Sequence, residues 1–342
     1  MDTVGPRMLL AETADSAHGL SIFAPASPGA ASIVNLALLT LAIAALIFLI
    51  VEGVLFYSVW RFRQRPGDKP AGEPAQVYGS MPIEVAWTAA PTMVVFFLVL
   101  VTTRTLWEVE PTLPTPAAGD NALFVTVVGH QWWWEYIYEH YDGERLGFIT
   151  ANELHISVSD DATSRPTYLI LKSADVCHSY WVPRLGGKVD LIPGHTNLIA
   201  YETKEAGLFK GQCAEYCGAQ HANMLLRVYA HPPAEFEAWL AHEAELARED
   251  PAASEGKAAF LAESCVNCHR VRGTPAVGTY APDLTHLMSR ETIGGGMIAN
   301  TPENLRQWVD DPQTIKPGCL MPAFKLDDRQ LDLVVQYLLT LE

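Results

Sequence analysis

The densest cluster of potential metal ligands in the chain is a twelve-residue run that reads CAEYCGAQHANM. It places the thiols of Cys213 and Cys217 close to the imidazole of His221 and the thioether of Met224. Soft sulfur ligands favour copper and imidazole suits it, whereas magnesium or calcium sites need oxygen ligands. A single blue-copper ion uses one cysteine, so the second cysteine indicates a dinuclear, thiolate-bridged copper centre. Such a centre needs another imidazole, and His178 is the best candidate.

A second signature, Cys265-Val-Asn-Cys268-His269, has the spacing of covalent c-type haem attachment. The two thiols form thioether links, and His269 supplies the proximal nitrogen. A zinc site would need a further Cys or His nearby, and a redox Cys-x-x-Cys would not need the histidine. A His/Met haem requires a distal methionine, and Met321 stands in a loop that reads KPGCLMP. Two other methionines compete for that role, namely Met288 and Met297.

Composition limits the classes of protein that can carry these groups. The 342 residues are 49% hydrophobic and 18% charged, which is too apolar for a disordered chain and predicts two or three folded units. The 23 basic and 39 acidic residues give a net charge of −16. A nucleic-acid partner is therefore not expected, because phosphate-binding surfaces need clustered Lys and Arg.

Two apolar runs, at residues 33–51 and 85–103, contain no charged residue. About 20 helical residues cross a bilayer core, so a transmembrane hairpin is predicted within residues 31–107, with helices at about 32–60 and 82–106. The alternatives are buried helices of a soluble core and, for the first run, a signal peptide, although that run is long and lacks a basic leader. Basic residues between the runs place this turn in the cytoplasm by the positive-inside rule: Arg61, Arg63, Arg65 and Lys69. Both termini, including a lead of residues 1–30, then lie on the extracytoplasmic side of the cell membrane.

Residues 108–232 have the pattern of an all-β domain. Short β-branched and aromatic runs alternate with turn residues, as in a small antiparallel sandwich or Greek-key barrel. The predicted strands lie at 122–128, 132–141, 153–159, 167–173, 196–203 and 224–229.

Beyond residue 232 the pattern becomes helical. It predicts a linker helix within 233–250 and an all-α domain at 251–342. The helices predicted in that domain lie at 254–263, 301–310 and 327–341.

These motifs resemble a known family. The copper-loop run, the segments ADVCHSYWVP and GKVDLIPG, the run GHQWWW and the membrane segment EVAWT resemble subunit II of haem–copper cytochrome c oxidases over about residues 30–230. Residues from about 251 to 342 are similar to class I cytochrome c. The combination resembles the caa3-type of that family, and it implies a membrane hairpin, a cupredoxin domain and a fused cytochrome c domain.

The resemblance also implies the ligands of the mixed-valence CuA centre. Cys213 and Cys217 would bridge the two coppers, with His178 and His221 as terminal ligands and Met224 as a weak ligand. The remaining ligand would be a backbone carbonyl: that of Glu215.

Three further roles follow from the resemblance alone. The side chain of Glu215 would reach a Mg²⁺ or Mn²⁺ site shared with subunit I. Trp132 would be the aromatic residue through which electrons enter, although the tryptophans of its run could also be sandwich core. Glu84 would lie at the mouth of a proton pathway, although it could also be an ordinary interfacial residue.

The implied activity is that of the electron-accepting subunit of a proton-pumping oxidase, with subunits I and III as partners. An external donor, either a cytochrome c or a quinol-oxidising complex, would reduce the haem c, which would pass electrons to CuA. The oxygen site must be on a partner, because neither apolar run contains a histidine. The alternatives are a CuA-bearing nitric oxide reductase subunit and, more distantly, a membrane-tethered copper-delivery or thiol-redox protein. Two cysteines have no assigned role and are expected to be small buried side chains: Cys177 and Cys319.

Overall fold

A computed structural model describes residues 19–67, 72, 76–248 and 250–342 of the chain. Most of the predicted lead, the predicted cytoplasmic Lys69 and Glu249 of the predicted linker lie outside these ranges. The chain divides into two compact units. One is Ala31–Glu110, and the other contains the remainder of the chain.

The first unit consists of two long helices, α1 (Pro28–Phe62) and α2 (Met81–Val109), of 35 and 29 residues. Their most apolar windows have mean hydropathies of 2.8 and 2.0, and their large apolar side chains are exposed. Apolar surface of this extent is costly in water, and both helices are long enough to cross a bilayer. They extend a few residues beyond the predicted limits, because the interfacial residues at their ends continue the helical hydrogen bonding.

The β-sandwich domain, residues 123–244, contains two five-stranded sheets. In the first sheet the strand order is β3-β2-β1-β5-β8, and in the second it is β4-β10-β9-β6-β7. The strands are β1 (Leu123–His130), β2 (Trp133–Tyr141), β3 (Glu144–Ala151), β4 (Glu153–Ser157), β5 (Thr167–Ser173), β6 (His178–Trp181), β7 (Val189–Leu191), β8 (Asn197–Tyr201), β9 (Gly207–Cys213) and β10 (Leu225–His231).

This sandwich confirms the predicted all-β class but differs from the prediction in two respects. The sheets are mixed, because β1 pairs with β5, and β10 with β4, in parallel. Four strands were not predicted: β3, β6, β7 and β9. Strands β6 and β7 have only four and three residues. Strands β3 and β9 contain Gly, Lys, Glu or Arg, which weakens the alternating apolar pattern on which the prediction depended.

Strand β2 shows how the core forms. Trp134, Tyr136 and Tyr138 are fully buried, whereas the residues between them are only half-buried. Successive side chains of a strand point to opposite faces, so this alternation packs the three large rings between the sheets. Trp134 is therefore a core residue, and its neighbour Trp133 stacks on His130 at the surface of the domain.

Helix α3 (Pro233–Ala244) was predicted as part of a linker, but it packs on the sandwich. Phe236 and Leu240 are buried with the sandwich core, and the ring of Trp239 lies 5.1 Å from that of Tyr138. The i, i+4 spacing of the two apolar residues places them on one helix face, which covers the strands. The connection to the next domain therefore begins after Ala244.

The C-terminal domain, residues 251–342, is mainly helical, as predicted. Its helices are α4 (Ser254–Ala262), α5 (Cys265–Cys268), α6 (Pro302–Asp310) and α7 (Asp328–Leu338), with a two-residue ladder of β11 (Thr292–Ile293) and β12 (Ile298–Ala299). Thr301 caps α6 by accepting from the amide of Asn304, with Pro302 in the first turn, as the sequence predicted. The buried stripe of α7 includes Leu331 and Val334, which pack in the domain core.

Candidate metal and haem sites

The side chains assigned to copper converge where three strands of the second sheet meet. His178 begins β6, Cys213 ends β9, and Met224 immediately precedes β10. Strands β6 and β9 are paired, while Cys217 and His221 lie in the turn that joins β9 to β10. Pairing of the two strands therefore brings together residues 178 and 213, which are 35 positions apart in the sequence.

The donor atoms of this cluster are close to one another. The two cysteine sulfurs are 3.8 Å apart, and Cys213 Sγ lies 3.9 Å from His178 Nδ1. Cys217 Sγ lies 3.6 Å from His221 Nδ1 and 3.9 Å from Met224 Sδ. The donor atoms of His178, Cys213 and Cys217 all lie within 4.8 Å of one another.

These distances and this chemistry fit a metal centre. With bonds of about 2.0 Å to nitrogen and 2.3 Å to sulfur, a nitrogen and a sulfur ligand of one metal ion lie at most about 4.3 Å apart, and two sulfur ligands at most about 4.6 Å. Four of the five side chains are buried, so protein replaces most of the water around a bound ion. The six cysteines form no disulfide in this structure, and the 3.8 Å between the sulfurs of Cys213 and Cys217 is well beyond a disulfide bond length.

The contact between the two thiols favours a single thiolate. The hydrogen bond between the two sulfurs lowers the pKa of Cys213 and raises the pKa of Cys217, because one thiolate is stabilised by the remaining proton. The carbonyl oxygen of Glu215 lies 3.2 Å from Cys213 Sγ. The backbone of Glu215 therefore faces the cluster, in the position that the sequence analysis expected for a carbonyl ligand.

Asp175 orients the imidazole of His178 from the side opposite the sulfurs. Its Oδ1 lies 2.8 Å from His178 Nε2, so Nε2 carries the hydrogen and Nδ1 faces the sulfurs. Burial disfavours the imidazolium, but the hydrogen bonds to Cys213 and Asp175 outweigh it and raise the pKa of His178. The backbone amide of Gln131 donates to Oδ2 at 2.7 Å and holds the carboxylate in place. The sequence contained no signal for this role beyond the position of Asp175 three residues before His178.

Trp132 connects to the cluster through the backbone. Its indole Nε1 donates to the carbonyl of Cys217 at 3.0 Å, and the side-chain amide of Gln131 donates to the same oxygen at 2.6 Å. Gly218 has a φ of +114°, and a Cβ there would lie 3.0 Å from the indole. Glycine at this position therefore allows the indole to lie against the cysteine turn.

The haem-attachment residues line one apolar cavity in the C-terminal domain. Cys265, Cys268, His269 and Met321 all contribute to its wall. Apolar side chains complete it: Leu284, Leu287, Leu305, Val309, Phe324 and Leu338. A concave apolar site with a few convergent polar groups is the environment that a large planar cofactor requires.

The one-turn helix α5 positions the thiols, and His269 follows it as the C-cap residue. His269 Nδ1 lies 2.8 Å from the carbonyl of Pro282, so Nδ1 carries the hydrogen and Nε2 is left as the ligand atom. Burial lowers the pKa of His269, which favours the neutral imidazole that metals bind. The residues present therefore fit a covalent haem.

The structure separates the three methionines that competed for the distal position. Met321 lies in the cavity wall with His269. Met288 packs against the hydrophobic core of the domain, and Met297 lies in the turn between β11 and β12. Met321 is thus the methionine that the fold brings to the haem site.

The two cysteines expected to be buried behave differently. Cys177 is exposed, which contradicts the expectation. Cys177 immediately precedes strand β6, whose first three residues are buried. Cys319 is half-buried and lies in the wall of the haem cavity, where the side-chain amide of Gln313 donates to its sulfur at 3.3 Å.

Glu84 lies in the first turn of α2. One carboxylate oxygen accepts the backbone amide of Ser80 at 3.0 Å, while the amide of Glu84 donates to the Ser80 carbonyl at 2.9 Å. This reciprocal pair satisfies backbone groups at the helix start, so the side chain has a structural role whatever else it does.

The β-sandwich and C-terminal domains share the haem cavity. Its wall also contains Gln131, Trp132, Trp133 and Asn152 of the sandwich. Two buried charged side chains, Glu153 and Lys316, form hydrogen bonds between the domains, and neither was predicted as a site residue. Charged residues are abundant in the chain and no local pattern distinguishes these two, so only the packing identifies them.

Comparison with known proteins extends over nearly the whole chain. Residues 16–104 match the transmembrane domain of cytochrome c oxidase subunit II, residues 123–230 match the periplasmic domain of that subunit, and residues 253–342 match cytochrome c.

Individual proteins agree with these matches. The cytochrome c oxidase subunit 2 of Alkalihalophilus pseudofirmus is 35% identical over 331 residues, which covers 95% of this chain and 92% of the relative. The protein of the same name from Bacillus sp. strain PS3 is 33% identical and covers 82% and 80% of the two chains. A solved structure, the periplasmic domain of subunit II of cytochrome oxidase from Bradyrhizobium japonicum, is 27% identical, with a TM-score of 0.33, and covers 38% of this chain and 96% of that chain.

Proposed function

Because this chain belongs to the cytochrome c oxidase subunit II family and carries a fused cytochrome c domain, we propose that it is the electron-accepting subunit of a caa3-type oxidase. When bound, the haem c and the dinuclear CuA centre supply two one-electron carriers between an external donor and the partner subunit. That subunit reduces oxygen to water and pumps protons. The family membership makes this chain part of an oxidoreductase complex anchored in a membrane.

The observation that carries the proposal is the position of Trp132. Trp132 lines the same cavity as Cys265 and His269, and its indole donates to the carbonyl of Cys217. One residue therefore lies at both candidate sites, which supports electron transfer from the C-terminal domain to the β-sandwich. Trp132 is also nearly buried, with 9% of its surface exposed, which favours the C-terminal domain over a soluble protein as its immediate electron donor.

The chain's own residues would prepare each site. At the copper site, the thiolates of Cys213 and Cys217 would hold the two ions together with His178, His221, Met224 and the Glu215 carbonyl. Burial of these ligands limits solvent rearrangement when charge changes, and the delocalised centre itself needs little change in bond length. These two features favour fast electron transfer at a small driving force.

At the haem site, Cys265 and Cys268 would form the thioether links. The Pro282 carbonyl holds His269 in the orientation that leaves Nε2 free to bind the iron, and Met321 would be the second ligand. The apolar wall would exclude water, and a thioether ligand raises the reduction potential of a haem.

The remaining features complete the proposed complex. Subunit I would share a Mg²⁺ or Mn²⁺ ion with the side chain of Glu215, subunit III would be a further partner, and Glu84 would lie at the mouth of a proton pathway. Both termini and both redox domains would face the extracytoplasmic side. The external donor would be a cytochrome c or a quinol-oxidising complex.

The test is purification of the complex in detergent, with identification of the subunits that accompany this chain and of their haems. We expect two copper ions and one covalent haem per chain, a mixed-valence copper EPR spectrum and turnover with oxygen. After rapid reduction of the haem c, copper reduction should follow before the haems of subunit I. Turnover with nitric oxide instead of oxygen would favour the reductase alternative, and a single exchangeable copper would favour the copper-delivery alternative.

A further inference from the structure

Lys316 of the C-terminal domain extends into the β-sandwich domain. Its Nζ donates to the carbonyls of Trp132 at 2.8 Å and Asn223 at 2.9 Å, both in the sandwich, and to Gly294 of its own domain at 2.8 Å. The residue is buried, with only 2% of its surface exposed. A positively charged side chain therefore crosses the contact between the two redox domains.

The number of hydrogen bonds matches the chemistry of the ammonium group. A lysine has three N–H donors, and each one reaches a different carbonyl oxygen. Burial lowers the pKa of Lys316 to about 8, although the charges of Cys319 and Cys217 oppose this change. Because an unpaired buried charge is costly, this position is favourable only while the sandwich supplies its two carbonyls.

Three residues at this contact adjoin the candidate redox sites: Trp132, Asn223 and Lys316 itself. The residue that supplies one carbonyl, Trp132, contacts Cys217 through its indole. The other carbonyl of the sandwich belongs to the residue that precedes Met224. Lys316 itself begins the loop that ends in Met321. One ammonium group thus connects the backbone near two candidate copper ligands, Cys217 and Met224, to the loop that contains Met321.

The surroundings accommodate Lys316 closely. Gly295 has a φ of +79°, and a Cβ there would lie 2.5 Å from the lysine Nζ and 2.9 Å from the Trp132 carbonyl. The side-chain amide of Gln220 donates to the carbonyl of Pro317 at 2.7 Å, so the next residue of the loop is also bound by the sandwich. Two neighbouring positions therefore support the same arrangement.

We propose that Lys316 is a positioning residue for electron transfer, and that its three hydrogen bonds hold the Met321 loop and the Trp132 indole in one relative arrangement. This inference rests on the proposed function. The lysine touches neither reacting group, and it acts by fixing the distance between them. Electron transfer slows steeply as its partners separate, so a looser contact lowers the rate without any change of ligands.

The experiment uses the complete oxidase with haem and copper bound. Lys316→Met keeps the length of the side chain and removes all three donors, whereas Lys316→Arg keeps the charge in a planar group that does not match three converging carbonyls. Lys325→Met is the matched control, since Lys325 is an exposed lysine of the same domain. If Lys316→Met does not incorporate haem, Lys316→Gln, with two donors on a shorter side chain, replaces it.

Two quantities are measured. The first is the rate of haem-to-copper electron transfer, which we expect to fall severalfold in both Lys316 variants, because a looser contact lets the two redox groups separate. The second is hydrogen exchange at the Leu225 amide, which donates across the domain contact to the Gly295 carbonyl at 3.2 Å. This exchange should accelerate, while the haem and copper spectra stay unchanged and Lys325→Met behaves as wild type.

The outcomes separate the two proposals. Wild-type rates in Lys316→Met, or full recovery in Lys316→Arg, would overturn the positioning role. No haem-to-copper transfer in the wild-type complex would overturn the proposed function instead. In that case the Leu225 exchange still decides whether Lys316 fixes the domain contact, because that readout does not depend on electron transfer.

Discussion

Glu153 provides a second buried charge between the two redox domains, and replacing it by Gln tests how firmly they are held together. Its Oε1 accepts the Thr292 amide at 2.8 Å and the Thr292 hydroxyl at 2.6 Å, while Oε2 accepts the Glu291 amide at 3.0 Å. The side chain belongs to the β-sandwich and its donors belong to the C-terminal domain. In Glu153→Gln, the amide oxygen can keep both bonds to Thr292, but the amide nitrogen then faces the Glu291 N–H.

The size of the effect follows from this geometry. One hydrogen bond to a charged group is lost, which is worth roughly 1.5–3 kcal/mol. Burial raises the pKa of Glu153 despite its hydrogen bonds, so part of their energy offsets the desolvation of the carboxylate. We therefore take the lower end, about 1.5 kcal/mol, which corresponds to about a tenfold larger population of the separated domains.

Hydrogen exchange at the Thr292 amide measures this population in the intact complex, because that amide is protected by Glu153 itself. We expect about tenfold faster exchange in Glu153→Gln. Glu144→Gln, at an exposed position of the same domain, is the control and should leave the exchange unchanged. Exchange at the wild-type rate in Glu153→Gln would refute the reasoning, because it would mean that the carboxylate does not hold the contact.

Three further predictions concern the sites themselves. Asp175→Asn should weaken copper binding about 10- to 100-fold in a chelator competition, because the carboxylate orients His178. Met321→Leu should lower the haem reduction potential in a redox titration, since a thioether ligand raises it. Burial lowers the pKa of both His155 and His231, whose ring nitrogens are 2.8 Å apart, so the folded chain keeps them neutral at a pH where the unfolded chain binds protons. Stability should therefore be complete above about pH 6.5 and should fall below it by up to ~1.4 kcal/mol per pH unit for each histidine, as seen in the apparent melting temperature.

Each of these predictions has a matched control. Asp161→Asn removes an exposed carboxylate of the same domain and should not change copper retention. Met297→Leu should leave the haem potential at its wild-type value, and a lowered potential there instead of in Met321→Leu would assign the distal ligand differently. His231→Gln should reduce the loss of stability in acid. An unchanged pH dependence in that variant would show that other groups cause it.

The chemistry was predictable because it is encoded in short segments. The CAEYCGAQHANM run and the Cys265–Cys268 helix bring their ligands together within one or two turns, so residue type and spacing suffice to identify them. The membrane helices and the N-cap at Thr301 are equally local, since apolar length and capping chemistry depend on neighbouring residues. The short strands β6 and β7 were missed because three or four residues do not establish a period.

Only the tertiary structure decided which distant groups meet. Lys316 and the Trp132 carbonyl are 184 positions apart, and Glu153 and Thr292 are 139 apart, so no local pattern links them. The meeting of Met321 with His269 in one cavity, and the outward position of Cys177, likewise depend on which face of a loop or strand the packing buries. The sequence by itself determined which ligands and spans the chain contains. The fold determined their mutual placement, because burial and hydrogen bonding across the domain contact are properties of the packed chain.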